Sequence, residues 1–384
     1  MADTYQIPSR FYSLDVVRGI LAVSIVFYHW QHFFYFGDVI SPDFQRTSQP
    51  LYSILKPLYK QGLNAVSFFF SLSGFMFFWL YSIPVASKAI SGPKYAALRF
   101  SRLYPLHLVT LVLVIVGQQL SVAQTGTSLI YQENDWYHLL LNILFLQAWS
   151  FEKGFSFNGP AWTVSIEVLM YVSFFVLAYF DKARSLTIAV LISFIGFLIA
   201  EDFNMQIGMG FHSFFIGGVA FMLYSKLLKF DLKRVLLLMS PLCAAVWLIS
   251  TIDMYSGVAP ALAVWIPELA SHQIVSTLNS NLFATTLVIP ITIIFLALVE
   301  TVRGSLGKRL HVVGDLSYAL YLLHFPLQLA FILIANWLGV DRSVFYSITA
   351  LICFFMVLWP LSYLSYFYFE LPLQKYLRNA LIKH

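Results

Sequence analysis

The stretch "SLDVVRGILAVSIVFYHW" (Ser13–Trp30) is apolar enough to begin a membrane span, yet it contains an arginine and a histidine. A helix needs about 20 mostly apolar residues to cross a bilayer, and this run continues to Phe36. Arg18 and His29 are eleven residues apart. In an α-helix this spacing leaves them within about 20° of one face and about 16 Å apart along the axis. The stretch therefore predicts a spanning helix with a cation near one end and a titratable base at mid-depth.

The rest of the chain is as apolar as this first segment. Of 384 residues, 59% are hydrophobic, 18% are aromatic and 11% are charged, a composition far from that of soluble globular proteins. The sequence predicts an all-α integral membrane protein, a polytopic bundle in one transmembrane domain over residues 1–384, with no fused soluble domain. About ten spans are predicted, near residues 13–36, 62–82, 104–124, 161–180, 185–200, 208–226, 235–252, 281–300, 314–338 and 343–369.

The basic residues predict the orientation of these spans. With the N-terminus inside, 18 of the 23 lysines and arginines fall on the cytoplasmic side, as the positive-inside rule requires. Both termini are therefore predicted to be cytoplasmic, and the net charge of +5 needs no nucleic-acid partner. Two apolar segments, 138–149 and 258–270, are too short or too interrupted to span, and we predict half-helices on the outer side. Both cysteines lie in apolar runs, so no disulfide framework or metal site is expected.

Ionisable side chains inside spans are functional-site candidates because each costs about 3 kcal/mol to insert. Arg18 alone is also typical of a topology anchor, and His29 alone of a histidine held by interhelical hydrogen bonds. Glu167 lies about two turns from the outer end of the fourth span, the same depth as His29. A carboxylate there would orient the imidazole and stabilise its protonated form. The alternative is a structural glutamate that joins two helices.

Three further groups of polar residues are candidates. Arg99 and Arg102 lie three residues apart and present two guanidinium groups on one helical face, which suits phosphate but is also an ordinary orientation signal. A polar stripe on one face of the ninth span either lines a cavity or joins helices; its members are Ser317, Tyr321, His324 and Gln328. Asn158 and Trp162 begin the fourth span, where they either line that cavity or cap and anchor the helix.

Two other groups have plainer interpretations. Small residues recur at helical spacing in the second span, which indicates close helix packing; they are Ser67, Ser71 and Gly74. His32 is predicted to lie at the membrane interface, one turn beyond His29.

Together these segments resemble the membrane acyltransferase-3 family, multi-pass bacterial enzymes that move acyl groups, mostly acetyl, from acyl-CoA onto sugars and similar acceptors. The resemblance extends from Ser13 to about Pro372 and rests on the order and spacing of short motifs. They are "LDVVRG", an Arg and a His separated by ten residues, an Arg-x-x-Arg pair at 99–102, "FFSLSGF", "WTVSIE", "SYALYLLHFP" and a closing "ELP". Thr163 stands where the family often has serine, and we assign its hydroxyl no role.

The resemblance implies roles for several of these residues. His29 would be the catalytic histidine, Arg18 its essential partner, and Arg99 and Arg102 contacts to the acyl donor. Glu167 and Trp162 fall in the family's polar fourth-span motif. The implied donor is acetyl-CoA or another acyl-CoA, without a metal, and the implied acceptor is a hydroxyl of a cell-envelope glycan or lipid-linked sugar. The implied location is the bacterial inner membrane.

Two other functions fit the same residues. A secondary transporter would use buried His and Glu side chains as a proton relay, although the sequence lacks the internal repeat of broken helices that is typical of that class. An acyltransferase could also act on a cytoplasmic small molecule. The sequence leaves open whether His29 is a general base or an acyl carrier. It predicts neither the acyl chain length nor the oligomeric state.

Overall fold

The computed structural model describes residues 7–256 and 281–382. In this part the only β-structure is a short antiparallel hairpin that pairs Tyr35–Phe36 with Val39–Ile40. Short helical segments and turns join thirteen helices: α1 (Tyr12–Tyr28), α2 (Tyr52–Lys60), α3 (Gly62–Ala86), α4 (Gly92–Thr125), α5 (Trp136–Ile143), α6 (Trp162–Tyr179), α7 (Leu186–Asp202), α8 (Met205–Leu227), α9 (Leu232–Ser256), α10 (Ile289–Arg303), α11 (Ser317–Trp337), α12 (Ile348–Leu364) and α13 (Leu371–Ile382).

Nine helical segments of the described chain are long and apolar enough to cross a membrane. The first joins α1 to the 3-10 turn His29–Phe34, and the last joins α12 to α13. The one predicted span without a counterpart among these nine is 185–200. It corresponds to α7, which has 17 residues. The all-α polytopic membrane fold is thus confirmed. The predicted half-helix at 138–149 overlaps α5 (Trp136–Ile143), which has eight residues and cannot span. The predicted half-helix at 258–270 lies outside the described residues.

The helices form two compact units, each described here by itself. The first contains Met1–Leu21, Leu63–Ser87 and Phe174–Gly314 in their described parts. The second contains Ala22–Gly62, Lys88–Ser173 and Asp315–His384. A single domain over residues 1–384 stays a prediction.

Small residues bring the helices of the first unit close together. Gly74 of α3 lies directly against the backbone of Phe214 in α8, with no room for a Cβ atom. One turn away, the Ser71 hydroxyl donates to the Ser213 carbonyl at 2.9 Å, and Gly217 packs on the Ser71 backbone. The close packing predicted for the second span is confirmed.

A buried carboxylate fixes the start of α1 in the same unit. Glu300 of α10 is fully buried and accepts hydrogen bonds from the backbone N–H groups of Tyr12 and Ser13 at 2.8 and 2.9 Å. It also accepts the Ser13 hydroxyl at 2.6 Å. The first N–H groups of a helix have no partner within the helix, and here they donate to Glu300. The negative charge of Glu300 also interacts favourably with the positive end of the helix dipole.

In the second unit, α4 packs along α11. Gly117 gives Leu329 room to approach the α4 backbone, and the Tyr318 hydroxyl donates to the Leu103 carbonyl at 2.6 Å. Aromatic side chains hold the 3-10 turn after α1, since Phe33 stacks on Phe345 with ring centroids 4.0 Å apart. The second unit therefore places the end of the first span beside α11.

Candidate active site

His29 is the first residue of the 3-10 turn and is half-buried. Its Nδ1 atom lies 2.9 Å from Nε2 of His324, and the two ring planes are 3° from parallel. His324 comes from the middle of α11 and is fully buried. Its Nδ1 is hydrogen-bonded to the backbone carbonyl of Tyr321, one turn earlier in α11.

This chain of contacts sets the proton positions on both rings. A carbonyl only accepts hydrogen bonds, so His324 carries its proton on Nδ1 when neutral, and its Nε2 is an acceptor. His29 must therefore donate from Nδ1, which leaves the lone pair on its own Nε2. Among the described residues, no side chain or backbone group hydrogen-bonds to that Nε2 atom. His29 thus presents an unprotonated nitrogen that can accept a proton or attack a carbonyl carbon.

Gln328, one turn beyond His324, ties the 3-10 turn to α11. Its Nε2 donates to the His29 carbonyl at 3.0 Å, and its Oε1 accepts from Nδ1 of His32 at 3.2 Å. The ring of His32 stacks on that of His29, with centroids 4.6 Å apart. His32 is 5% exposed, so it is buried within the protein; its depth at the membrane interface stays a prediction. We call His29, His32, His324 and Gln328 the histidine cluster.

The N-terminal end of α6 adjoins this cluster. The Thr163 hydroxyl donates to the Tyr321 hydroxyl at 2.8 Å, and Tyr321 in turn donates to the Pro160 carbonyl. Asn158 donates from Nδ2 to the Leu322 carbonyl at 3.1 Å. The structure therefore brings Asn158 and Tyr321 together beside His324.

Two other candidate residues are buried in the second unit, and Tyr131 contacts the histidine cluster. Trp162 is buried as the first residue of α6. Ser317 is buried at the start of α11, with no hydrogen-bond partner for its Oγ among the described residues. The ring of Tyr131 packs on Phe325 at 5.1 Å and edge-on to His32 at 6.0 Å.

A second group of polar side chains lies beside the first turn of α11, near Tyr318. The guanidinium of Arg99 lies over the ring of Tyr171, 5.8 Å from its centroid, and the Tyr171 hydroxyl donates to Glu167. Arg102 interacts electrostatically with the carboxylates of Glu167 and Glu370. We call Arg99, Arg102, Glu167, Tyr171 and Glu370 the arginine cluster.

The arginine cluster opens into a small polar pocket within the second unit. Arg102, Tyr318 and Glu370 line it, together with Asp315, Tyr366 and Gln374. Ser365 donates to Glu370 at 2.9 Å. The pocket therefore offers one guanidinium group among several acceptors.

The structure corrects the predicted pairing of Glu167 with His29. The side-chain hydrogen bond of His29 goes to His324 at 2.9 Å, and its ring stacks on that of His32. Glu167 instead accepts the hydroxyl of Tyr171 within the arginine cluster. Equal distance from the helix ends did not bring the two side chains together, because α6 places Glu167 against the arginines.

Arg18 is half-buried within α1 in the first unit, whereas His29 belongs to the second. The α-helical geometry extends to Tyr28, and His29 begins the 3-10 turn. The shared face of Arg18 and His29 therefore stays a prediction.

Sequence reasoning gave no site role to several residues that the structure brings in. They are His32, Thr163, Tyr131, Tyr318 and Glu370. A signal was present for His32, because it follows His29 at one-turn spacing. For the others, only the packing of distant segments shows the proximity.

One group of acidic and imidazole side chains has the spacing of a metal site: Glu133, Asp135 and His138. However, Nε2 of His138 accepts the backbone N–H of Lys153 at 3.2 Å, so Nδ1 carries the proton that is donated to Asp135 at 2.7 Å. Both nitrogens of this imidazole are hydrogen-bonded, and these bonds connect α5 to the loop after it.

Comparison with known proteins identifies the family. A family model described as "Acyltransferase domain" matches residues 11–367. The chain is similar to "Acyltransferase MdmB" of Streptomyces mycarofaciens, with 34% identity over 117 residues, or 29% of this chain and 27% of that protein. It is also similar to "Protein 2 in picA locus" of Rhizobium radiobacter, with 33% identity over 107 residues, or 28% of this chain and 45% of that protein. Both matches thus cover less than half of the relative. No solved structure matches.

The matched region contains every residue of the histidine cluster and all but one residue of the arginine cluster, Glu370, which lies just beyond it. The chain belongs to the acyltransferase-3 family, the family that its sequence motifs resemble.

Proposed function

We propose that this protein is a membrane-embedded O-acyltransferase of the bacterial inner membrane. In this proposal an acetyl group passes from acetyl-CoA, or another acyl group from its acyl-CoA, to a hydroxyl of a cell-envelope carbohydrate. The observation that carries the proposal is the hydrogen-bonded chain from the Tyr321 carbonyl through His324 to His29. It leaves Nε2 of His29 unprotonated and unblocked by any described residue, as a general base or nucleophile needs.

The arginine cluster is the proposed donor site. Acyl-CoA would enter from the cytoplasm, and Arg99 and Arg102 would bind its phosphates, with Arg18 as a further cation. Guanidinium groups suit phosphate because their N–H fork matches two phosphate oxygens. About 9 Å of α11 separates Tyr318, beside Arg102, from His324, a distance that the pantetheine arm of acyl-CoA would span.

In direct transfer, His29 acts as a general base. Nε2 takes the proton of the acceptor hydroxyl while the hydroxyl oxygen attacks the thioester carbonyl carbon. The C–S bond then breaks, and the same proton passes from Nε2 to the departing sulfur, which leaves as the thiol of CoA. His324 accepts the Nδ1–H of His29 throughout and stabilises the transient imidazolium without a carboxylate.

In the covalent alternative, Nε2 of His29 attacks the thioester carbon itself. CoA leaves as the thiolate and takes up a proton from solvent, and a cationic acyl-imidazolium forms that still donates its Nδ1–H to His324. The acceptor hydroxyl then attacks this acyl group, loses its proton to water, and regenerates the free imidazole. Both routes use the same lone pair.

The acceptor is proposed to be a glycan or lipid-linked sugar on the outer side. His29 lies at the end of the first span that is predicted to face outward, and Tyr131 from the loop after α4 packs on its neighbour His32. The name of one relative, "Acyltransferase MdmB", supports the reaction class. An acyltransferase with a cytoplasmic small-molecule acceptor remains the second candidate.

The test uses the purified full chain in lipid nanodiscs with acetyl-CoA labelled in its acetyl group. We expect the wild type to release free CoA, slowly to water and faster with added envelope glycans. His29→Ala should lower the rate on the order of 1,000-fold, within the range of a positioned acid–base group. His311→Ala, which changes an imidazole bound to the Lys308 carbonyl in the first unit, is the control and should leave the rate unchanged.

Two results would contradict the proposal. A wild-type protein that neither binds nor consumes acetyl-CoA is not an acyl-CoA-dependent transferase, and proton-coupled substrate flux in liposomes would then favour the transporter. Full turnover by His29→Ala would contradict the site but not the class. Label that stays on protein after acid quench, in wild type but not in His29→Ala, would distinguish the acyl-imidazole route from direct transfer.

A further inference from the structure

A cavity of about 330 Å³ lies in the second unit, apart from the histidine and arginine clusters. The last turns of α4, the loop after it and the start of α5 form its walls. Its volume is at the lower end of the range for small-molecule sites, about 300–1,000 Å³. This size suits one ring of a substrate rather than a whole polymer.

Two amide side chains make the walls rigid. Each one both donates and accepts a hydrogen bond with backbone groups of the walls. Gln118 accepts the Leu129 N–H at 2.8 Å and donates to the Leu129 carbonyl at 2.9 Å. Asn134 accepts the Phe157 N–H and donates to the Tyr131 carbonyl, both at 2.7 Å. Such a preformed frame lowers the entropic cost of binding.

Four other lining residues keep hydrogen-bonding or stacking capacity. Gln119 is exposed, and its amide bonds to no described group. Gln132 donates to the Ser128 carbonyl from Nε2, which leaves its Oε1 open. Trp136 is 84% exposed and lines the cavity.

Asp135 is the fourth of these residues and is held ionised. The backbone and side-chain N–H groups of His138 both donate to its Oδ1, and these hydrogen bonds hold the pKa of Asp135 below its usual range. Its second carboxylate oxygen remains available. The cavity thus joins one carboxylate and two amides to an aromatic face.

We infer that this cavity binds one sugar ring of the acceptor, an inference that rests on the proposed carbohydrate acceptor. Carboxylates and amides bind adjacent hydroxyl groups, because each offers two polar atoms at a fixed separation. The C–H face of a sugar ring packs on an exposed aromatic ring. A membrane-interface tryptophan alone would account for the exposure of Trp136, but not for three hydrogen-bonding side chains around a cavity beside it.

The cavity is linked to the histidine cluster through two segments. Tyr131, next to Gln132, packs edge-on to His32 at 6.0 Å. Phe157 lines the cavity, and the following residue, Asn158, donates to the Leu322 carbonyl two residues before His324. A sugar ring bound here is therefore connected to the histidine cluster through Tyr131 and Asn158.

The experiment measures sugar binding without any acyl donor. Saturation-transfer NMR is recorded on the full chain in nanodiscs with methyl glycosides of glucose, galactose, mannose, rhamnose and N-acetylglucosamine. We expect at least one to bind, and Trp136→Ala to weaken its binding about fivefold or more, since an aromatic contact contributes about 1 kcal/mol. Gln119→Ala should weaken it as well, and Trp136→Phe should retain part of the affinity.

Trp337→Ala is the matched control. Trp337 is 79% exposed at the end of α11 and does not line the cavity, so its substitution should leave binding unchanged. Equal loss in Trp337→Ala, or no binding of any glycoside at about 10 mM, would overturn the sugar site. Because no donor is present, sugar binding in a protein that never consumes acetyl-CoA would support the cavity and contradict only the proposed reaction.

Discussion

The two polar clusters of the second unit differ in how their charges are matched. The histidine cluster contains no carboxylate, and a carbonyl, an imidazole and an amide fix the base. The arginine cluster sets guanidinium groups against carboxylates and a phenol. The base is thus oriented by neutral groups, whereas the guanidinium groups lie near carboxylates and a phenol. The two clusters are about 9 Å apart along α11.

This difference has a chemical consequence. A carboxylate beside His29 would raise its basicity and hold a proton on it, whereas neutral partners keep the imidazole unprotonated and able to react. The anions beside Arg102 in turn stabilise its charge when no ligand is bound. Substitutions at each cluster test whether this division of roles is real.

Among the residues around His29, the largest effect is expected at His324. His324→Leu removes the acceptor for the His29 Nδ1–H, so we expect kcat to fall on the order of 100-fold, the lower end of an acid–base contribution. The KM for acetyl-CoA should not change, because the arginine cluster is untouched. The measurement is steady-state release of CoA.

A conservative variant separates positioning from packing. His324→Gln keeps an acceptor oxygen that can reach His29, and should recover part of kcat with an unchanged KM. If His324→Leu and His324→Gln lose activity equally, His324 is only a packing residue and the proposed orientation of His29 is wrong.

The second prediction concerns Arg102. Arg102→Ala removes a charge-assisted contact to the donor phosphates, so the KM for acetyl-CoA should rise about tenfold while kcat stays nearly constant. Arg102→Lys should give an intermediate KM, because lysine keeps the positive charge but cannot bind two phosphate oxygens with a planar pair of N–H groups. Thermal unfolding of each variant shows whether the fold is intact.

Glu370→Gln is expected to change the KM for acetyl-CoA in the opposite direction to Arg102→Ala. If phosphate binds beside Arg102, then removal of the neighbouring negative charge should lower the KM about twofold to threefold. A KM that rises in Glu370→Gln would mean that Glu370 itself contacts the substrate.

The sequence predicts more of the fold than of the site. Apolar runs and the positions of basic residues are local signals, and they predict the helices, including the tight packing at Gly74. His29 and the polar stripe through His324 were also identified from spacing. Which of the buried polar groups meet depends on how α6 packs against α11, and no local pattern encodes that packing. For this reason Glu167 was paired with the wrong partner, and Thr163 was given none.

A third prediction follows from the position of Glu167. Glu167→Gln should change kcat less than about threefold, because its hydrogen bond goes to Tyr171 and the amide can still accept it. If Glu167 instead oriented His29, this variant would match the loss in His324→Leu and would shift the pH profile of kcat. Rates measured from pH 6 to 9 for both variants distinguish the two outcomes.

The smallest effect is expected at Thr163, which lies between the clusters. Thr163→Val removes the donor to the Tyr321 hydroxyl, but Tyr321 keeps its own bond to the Pro160 carbonyl. The expected cost is about 1 kcal/mol of stability, the usual net value of one hydrogen bond, with activity changed less than about twofold. Thr163→Ser keeps the hydroxyl and should match the wild type in thermal unfolding. A large loss of kcat in Thr163→Val, restored by Thr163→Ser, would instead show that this hydroxyl takes part in the reaction, and the division into two independent clusters would have to be abandoned.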